Sequence, residues 1–290
     1  MKSELRTHIA ELVTHVGELS KTNASRLSAR FGLDAPLIQW GRPVYSAVVG
    51  WIAGDRGVPW SINGLPYRID IRQRHMMAHE YESSVANFLR DLIKPGFVCF
   101  DVGANVGVYA LQFCRWSAPT GRVVAFEPNP AAREVLERHL SMNHFEDRVQ
   151  IVGAAVGSSQ DCATFFAAGA DGMSRLGTPN PALINQSYAF SVPVYTLDNF
   201  ARTNDNVPDV VLIDVEGFEL SVLEGAREII KNRRNRTHFV VEMHPASWSS
   251  ANSSYEQMVC FLNEMRLRPR CLTGQRDPLK DYGLVYLEWI

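Results

Sequence analysis

The sequence predicts an α/β fold in which helices cover both faces of a mostly parallel sheet. Two observations predict it. From residue 94 onward, short apolar runs alternate with helical patterns, as in βαβ units. One run, Val210–Asp214, is apolar at four consecutive positions, as expected of a strand buried on both sides. The chain has 290 residues, of which 46% are hydrophobic, so it can bury a substantial core.

The predicted strands are apolar runs bounded by turn or helix signals. They are Val98–Asp101, Val123–Glu127, Val149–Val152, Val210–Asp214 and Phe239–Glu242. Helical patterns follow at 107–116, 129–142, 218–231 and 254–266. Between residues 160 and 200 we expect two short strands around a loop. That loop, Gly169–Phe190, is rich in glycine, proline and hydroxyl side chains and is a candidate lid over an acceptor.

Residues 1–79 are predicted to form an N-terminal extension to a main domain of residues 80–290. The extension contains a predicted amphipathic helix, Ser3–Leu19, and an apolar segment, Pro43–Gly54, that we interpret as a packed helix. A hairpin is predicted around Asn63 and Gly64, which suit a tight turn between two alternating runs. The extension is also a candidate surface for self-association into a homo-oligomer.

Composition narrows the class of protein. The formal net charge is −2, so no overall positive field favours binding to nucleic acid. The five cysteines form no CxxC pair and their number is odd, which favours a reducing compartment. The N-terminal segment has no apolar signal core, and no stretch has eighteen uninterrupted apolar residues. We therefore expect a cytoplasmic protein without a membrane span.

The stretch FDVGANVGVYA, residues 100–110, indicates a cofactor loop where a strand becomes a helix. Gly103 and Gly107 allow a sharp turn and a close approach to a ligand, and Asn105 tolerates unusual backbone angles. Glu127 ends the next strand, where an acid can accept hydrogen bonds from both ribose hydroxyls. A ribose-bearing cofactor is therefore predicted.

Two nucleoside cofactors compete for this loop. A dinucleotide fingerprint would carry a third glycine that admits pyrophosphate at the helix N-terminus. This loop has two glycines and opens with Asp101, an acid that is unfavourable beside phosphate. The acid suits the cationic methionine side of S-adenosyl-L-methionine, which the sequence therefore favours over NAD.

Taken together, these motifs resemble the FkbM family of S-adenosylmethionine-dependent methyltransferases. Order and spacing agree from about residue 80 to 245. The matching stretches are YE at 81–82, KPGFVCFDVGANVGVYA, VVAFEPNP, VQIVGAAVG, VYTLDNF, LIDVEGFELSVLEGA and VVEMHP. The resemblance implies the class I methyltransferase Rossmann-like fold, with a seven-stranded, mostly parallel sheet. The chain departs from the family's pattern at Leu212, where the family usually has a lysine.

The resemblance also implies a set of cofactor-binding residues. Glu127 corresponds to the ribose acid and Glu82 to an acid near the cofactor's amino group. Asn129 and the backbone around Ala154 would border the adenine. The loop that would hold the methionine part comprises Asp101, Gly103, Ala104, Asn105 and Gly107.

The catalytic candidates are Asp214, Glu216, Glu242 and His244, because they lie at predicted strand tips where ligands bind in such sheets. His244 is the preferred proton acceptor, since a neutral imidazole is available near pH 7. We expect Glu242 to orient it and Asp214 to position the acceptor hydroxyl. Glu216 has an equal interpretation as a helix cap. No metal site is predicted; a metal centre of Asp214, Glu242 and His244 is the minority alternative.

The function expected from the resemblance is methylation of a hydroxyl group on a sugar or natural product. The partner would be a small-molecule or glycan acceptor. Two alternatives remain open: an NAD-dependent Rossmann oxidoreductase, and a noncatalytic S-adenosylmethionine-binding assembly protein.

Overall fold

The computed structural model describes residues 46–170, 174–177, 179 and 185–290. The predicted helix Ser3–Leu19 and parts of the candidate lid lie outside these residues. Contacts divide the chain into two compact units. The first runs up to Tyr81 and includes Ser141–Asn143, and the second contains Glu82–Leu140 and His144–Ile290. The assignment of residues 1–79 as an extension stays a prediction.

The first unit contains the predicted hairpin. Residues 46–53 are helical and are followed by the 3-10 turn Gly54–Arg56. Strands β1 (Val58–Ile62) and β2 (Leu65–Ile69) then pair antiparallel. Asn63 and Gly64 both have positive φ, 48° and 79°, as a two-residue type I′ turn requires. The hairpin prediction is confirmed.

The second unit is built on strands and helices that alternate along the chain. Its strands are β3 (Val98–Val102), β4 (Arg122–Phe126), β5 (Val149–Val152), β6 (Ala155–Val156), β7 (Asp161–Ala167), β8 (Arg175–Leu176), β9 (Tyr188–Tyr195), β10 (Val210–Ile213), β11 (His238–Met243), β12 (Leu267–Cys271) and β13 (Gly283–Trp289). Its helices are α1 (Ser83–Leu92), α2 (Val108–Trp116), α3 (Pro130–Met142), α4 (Leu197–Thr203), α5 (Glu219–Glu224), α6 (Arg227–Asn232) and α7 (Tyr255–Met265).

The main sheet has seven strands in the order β12-β13-β11-β10-β3-β4-β5. From β11 to β5 the neighbouring strands are parallel, whereas β13 is antiparallel to both β11 and β12. The predicted fold, a mostly parallel seven-stranded sheet of the class I methyltransferase type, is confirmed. The five predicted strands are all present within one or two residues of their expected bounds.

The two faces of this sheet differ in what they bury. Phe100, Val102, Val211 and Ile213 belong to a large apolar cluster on one face. Because side chains alternate along a strand, Asp101 and Leu212 lie on the other face. The register places Leu212 directly opposite Asp101 of β3. The side chain of Asp101 therefore lies on the face of the sheet opposite Phe100 and Val102, outside that apolar cluster.

The predicted helix over 218–231 is instead two short helices, α5 and α6. The chain bends at Gly225, where a Cβ atom would lie 2.1 Å from the backbone oxygen of Gly157. This close approach of two backbone segments ends α5 and starts a new direction for α6. The helical pattern of the sequence continues through the bend, so it predicted one helix where there are two.

A second, four-stranded sheet has the order β6-β9-β7-β8. Its central pair, β7 and β9, is antiparallel, which confirms the two short strands predicted around a loop. Phe165 and Val192 lie in a small apolar cluster of this sheet. Residues 171–173, 178 and 180–184 of the candidate lid are outside the described residues, so the lid stays a prediction.

Every helix among the described residues is too short or too polar to cross a bilayer.

The loop that follows β3 lies very close to the end of β10. Gly103 has φ +91°, and a Cβ atom built on it would lie 1.8 Å from the backbone oxygen of Asp214. No side chain fits in that space without moving the backbone. The glycine is required here both for its left-handed conformation and for the contact between two strand ends.

Gly103→Ala is therefore expected to destabilise the protein by about 2 to 5 kcal/mol, since backbone strain and overpacking add. Gly274 provides a matched control: it has φ +81° in an exposed loop, and its Cβ atom would have no neighbour within 4 Å. Gly274→Ala should cost about 1 to 2 kcal/mol, the strain alone. Urea unfolding of both variants measures the difference, and equal losses would show that the contact with Asp214 is unimportant.

Candidate functional site

The loop after β3, residues 103–107, lies at the carboxyl edge of the sheet and is called the cradle below. The backbone amides of Gly103 and Ala104 both donate to the carbonyl oxygen of Phe126, each at 3.0 Å. Gly107 has φ +92°, and a Cβ atom there would lie 2.4 Å from Cδ1 of Leu136. Asn105, with φ 47°, takes the left-handed conformation between the two glycines. The cradle is fixed to the end of β4 and leaves no room for larger residues.

Glu127 connects this cradle to the start of α3. One carboxylate oxygen accepts a hydrogen bond from the backbone amide of Asn105, and the other accepts one from that of Asn129, both at 2.7 Å. The side chain is buried, and burial raises its pKa to about 7 although the two amides act in the opposite direction. Each carboxylate oxygen retains further acceptor capacity for a ligand hydroxyl.

Asp101 is the most isolated acid of the site. It is only 3% exposed, and its Oδ2 atom has no hydrogen-bond partner among the described residues. Burial raises its pKa to about 7, and the charge of Glu127 adds to the rise. A buried acceptor without a donor is costly in a protein, so Asp101 is suited to a ligand that brings a positive charge or a donor.

The remaining predicted cofactor residues lie around the cradle. The Asn129 side chain donates to the carbonyl oxygen of Gly169 and caps α3 by accepting from the amide of Ala131. Ala154 is buried, and its amide donates to Val152. These contacts hold the chain in place on the side of the cradle away from β10.

Glu82 lies at the start of α1, in the left-handed conformation with φ 42°. Its carboxylate accepts a hydrogen bond from the Tyr109 hydroxyl at 2.5 Å. Burial raises the pKa of Glu82 to about 7 despite this bond, and Glu242 raises it further. Its electrostatic influence therefore reaches the acids of the neighbouring strands.

The four catalytic candidates come together at the ends of β10 and β11. The Nε2 atom of His244 lies 4.0 Å from an oxygen of Asp214 and 3.8 Å from one of Glu216. Burial raises the pKa of both carboxyl groups, and nearby Glu242 raises them further. Asp214 is the more accessible of the two, with 40% of its side chain exposed against 22% for Glu216.

The expectation that His244 is neutral near pH 7 is wrong for this arrangement. Burial alone would lower the pKa of its imidazole. The hydrogen bond to Glu219 and the charges of Glu219, Glu216 and Glu242 outweigh burial and raise the pKa to about 9. A pKa of about 9 favours the protonated ring near pH 7, which makes His244 a poor proton acceptor in the ligand-free protein.

The orienting partner of His244 also differs from the prediction. Glu219, not Glu242, accepts the hydrogen bond from the Nδ1 atom, at 2.8 Å. Glu242 is 5% exposed and accepts a hydrogen bond from the Tyr282 hydroxyl. Glu216 does not act as a helix cap: the residue at the N-cap of α5 is Phe218, and the Glu216 carboxylate faces His244.

Sequence reasoning did not single out Glu219, Trp248, Tyr282 or Arg175. Glu219 is fully buried, and its second oxygen accepts from the Trp248 indole at 2.8 Å. At the start of a helix an acid is ordinarily a solvated N-terminal charge, so the sequence carries no signal of its burial. Arg175, on β8, lowers the pKa of Glu216 by its charge, and only the fold of the small sheet brings it there.

Comparison with known proteins assigns the chain to a protein family. The family model described as the methyltransferase FkbM domain matches residues 101–269, more than half of the chain. A segment of 74 residues, 26% of the chain, is 35% identical to the AMB antimetabolite synthetase AmbE of Pseudomonas aeruginosa, of which it covers 3%.

Solved structures show weaker likenesses. An FkbM methyltransferase from Methylobacillus flagellatus KT is similar with a TM-score of 0.44 and 14% identity, over 86% of this chain and 60% of that one. Aeropyrum pernix fibrillarin in complex with S-adenosyl-L-methionine is similar with a TM-score of 0.41 and 14% identity, over 79% and 81% of the two chains. The assignment of the chain to a family rests on the match to the family model and not on these structural likenesses.

The raised pKa of Asp101 predicts how stability depends on pH. The folded protein holds this proton more tightly than the unfolded chain, whose pKa is about 3.8. The stability contributed by Asp101 is therefore full below about pH 4 and is lost as the pH rises through about 7. Asp101→Asn should raise the free energy of unfolding at pH 8 by about 1 to 3 kcal/mol and change it little at pH 4.

Chemical unfolding of the ligand-free protein at both pH values measures this effect. Asp147→Asn is the matched control, because Asp147 is exposed. If Asp101→Asn destabilises the protein equally at pH 4 and pH 8, ionisation of the buried carboxyl group does not lower the free energy of unfolding.

Proposed function

The chain belongs to the FkbM methyltransferase family, whose members use S-adenosyl-L-methionine, and we propose that it methylates a hydroxyl group of a sugar or natural-product acceptor. One observation carries the proposal: the carboxylates of Asp214, Glu216 and Glu242 converge beside the cofactor cradle. The family match decides between the two nucleoside cofactors, and the NAD-dependent alternative is not retained. Location in the cytoplasm and self-association through residues 1–79 stay predictions.

The described residues fit the cofactor. The cradle at Gly103 and Gly107 has no space for a Cβ atom, because the backbone of Asp214 and the side chain of Leu136 lie against it. This close packing and the bond from the Asn105 amide fix the loop beside the carboxylate of Glu127. In this proposal the carboxyl group of Asp101, whose Oδ2 atom has no hydrogen-bond partner among the described residues, and the carboxylate of Glu82 face the methionine part, which carries positive charge. Glu127 accepts the ribose hydroxyls. Bound there, the cofactor supplies an electrophilic methyl group on a positively charged sulfur.

The charge of the neighbouring pocket favours oxygen over nitrogen as the atom that is methylated. A primary amine would enter a group of carboxylates as an ammonium ion and would lack the lone pair needed for attack. A hydroxyl group enters neutral and must lose a proton, for which a carboxylate is an acceptor. The likeness to a synthetase of an antimetabolite supports a small natural-product acceptor.

In the proposed reaction, the acceptor oxygen forms a bond to the methyl carbon while the carbon–sulfur bond breaks and its electron pair stays on sulfur. The hydroxyl proton passes to a carboxylate oxygen. We assign this role to Asp214, because its side chain is the most exposed of the three carboxylates and its backbone touches the cradle at Gly103. Glu219 holds His244 in place, so that His244 positions the carboxylates of Asp214 and Glu216.

The experiment that tests the function is incubation with methyl-labelled S-adenosyl-L-methionine and a panel of sugars, phenols and aliphatic alcohols, with amines and thiols as competitors. We expect label on an oxygen atom, identified by NMR of the product. Label on nitrogen, sulfur or carbon would overturn the hydroxyl assignment.

Glu127→Ala is expected to weaken binding of S-adenosylhomocysteine by about 1 to 3 kcal/mol, because hydrogen bonds from the ribose to a charged group are lost. Isothermal titration calorimetry measures the affinity. Glu137→Ala, a change at an exposed acid of α3, is the matched control and should bind normally. Unchanged affinity of Glu127→Ala would remove Glu127 from the cofactor site.

Asp214→Asn is expected to lower turnover about 10²-fold or more, because the proton acceptor is lost. Affinity for S-adenosylhomocysteine should stay close to that of the wild type, since the backbone contact with Gly103 is kept. Asp91→Asn, at a side chain that is 81% exposed, controls for the substitution itself. Full turnover of Asp214→Asn would transfer the role to Glu216.

A further inference from the structure

One oxygen of Asp214, one oxygen of Glu242 and one ring nitrogen of His244 all lie within 4.8 Å of one another. We propose that these three side chains bind a hard divalent cation, Mg²⁺ or Mn²⁺. Neighbouring ligands of an octahedral ion of this size are about 3 Å apart and opposite ones about 4.2 Å. Side-chain movements of less than about 1 Å therefore bring the three ligand atoms to bonding distance.

The imidazole of His244 is oriented as a metal ligand, and a cation would replace the proton on its Nε2 atom. Its Nδ1 atom donates to Glu219, which leaves the Nε2 atom 4.0 Å from an oxygen of Asp214 and 3.8 Å from an oxygen of Glu216. Glu219 is held in turn by the amide of Gly217 and the indole of Trp248, both at 2.8 Å. A carboxylate that fixes a histidine from behind is the usual outer partner at metal sites.

The inward nitrogen of His244, Nε2, makes only long ion-pair contacts among the described residues. The ring is only 9% exposed, and its nearest oxygen atoms, at 3.8 and 4.0 Å, are too distant for hydrogen bonds. These oxygen atoms belong to Asp214 and Glu216, so a cation bound between His244 and Asp214 would replace a long contact and break no hydrogen bond of the Nε2 atom.

Electrostatics favour a cation in the same place. Asp214 has Glu242, Glu216 and Glu82 as electrostatic neighbours. A divalent cation would balance the negative charge of Asp214 and Glu242 and would interact favourably with the nearby charges of Glu216 and Glu82. Glu242 is fixed by the hydroxyl of Tyr282, and the 40% exposure of Asp214 provides an entry path and open coordination positions for water.

The ligand set indicates which metal fits. Two carboxylates and one imidazole, with open positions for oxygen ligands, suit Mg²⁺ or Mn²⁺ better than a soft ion, and none of the three ligands is a thiolate. If the acceptor is a hydroxyl group, as proposed above, a cation here would favour release of its proton. That consequence rests on the proposed function, whereas cation binding itself does not.

The test is titration of the full chain with Mn²⁺, followed by electron paramagnetic resonance, without donor or acceptor. We expect one Mn²⁺ per chain that is displaced by Mg²⁺. Glu242→Gln should weaken binding at least about tenfold, and Glu219→Gln about 10- to 100-fold through loss of the outer partner. Melting temperatures show whether each variant is folded, and Asp214→Asn serves as a further ligand variant should Glu242→Gln fail to fold.

Glu137→Gln is the matched control, because it removes an exposed carboxylate of the same type from α3 and is not one of the three ligands. Its effect on Mn²⁺ affinity should stay within about threefold. Equal weakening in Glu137→Gln and Glu242→Gln would indicate a diffuse negative field and overturn the site, as would absence of Mn²⁺ binding to the wild type.

The cation site and the proposed methylation of a hydroxyl group can be overturned independently of each other. Methylation of a hydroxyl group by protein that binds no Mn²⁺ would overturn the cation site and leave the proposed function intact. Stoichiometric Mn²⁺ binding by an enzyme that methylates nitrogen would do the reverse.

Discussion

The contact between the loop after β3 and the end of β10 is the constraint on which the rest of the site depends. Parallel pairing aligns the two strands in register, with Val102 opposite Ile213, so both chains leave the sheet at the same edge. Gly103 then lies against the carbonyl oxygen of Asp214, at a distance that no side chain permits. Through this contact the cradle and the acid cluster become one site, although over 100 residues separate them in the chain.

Most of the fold could be predicted because its signals are local. A strand buried on both faces is a continuous apolar run, and five such runs, with helices between them, already specify the parallel part of the sheet. The acids at strand tips could be predicted to meet, since parallel strands end at one edge. Contacts between side chains distant in sequence could not be predicted. The choice of Glu219 over Glu242 as the partner of His244 depends on where α5 begins after the bend at Glu216 and Gly217.

The pKa of His244 differs from the value expected from the sequence for a physical reason. An isolated histidine in a strand-end loop is a fair candidate for a neutral base, because its ordinary pKa is near 6.5. A buried carboxylate at hydrogen-bonding distance, with further acids around it, reverses that expectation by stabilising the imidazolium. Burial and charge oppose each other here. The hydrogen bond of 2.8 Å to Glu219 is the largest of the contributions that raise the pKa of His244.

The titratable side chains at the carboxyl edge of the sheet form two groups. Asp101 and Glu127 lie at the ends of β3 and β4 by the cradle, and Asp214, Glu242 and His244 lie at the ends of β10 and β11. Leu212 separates the two groups within the sheet, since its register places it between Asp101 on one side and Val240 on the other. A lysine at this position would bring a permanent cation beside Asp101. With leucine at this position the protein contributes no charge beside Asp101.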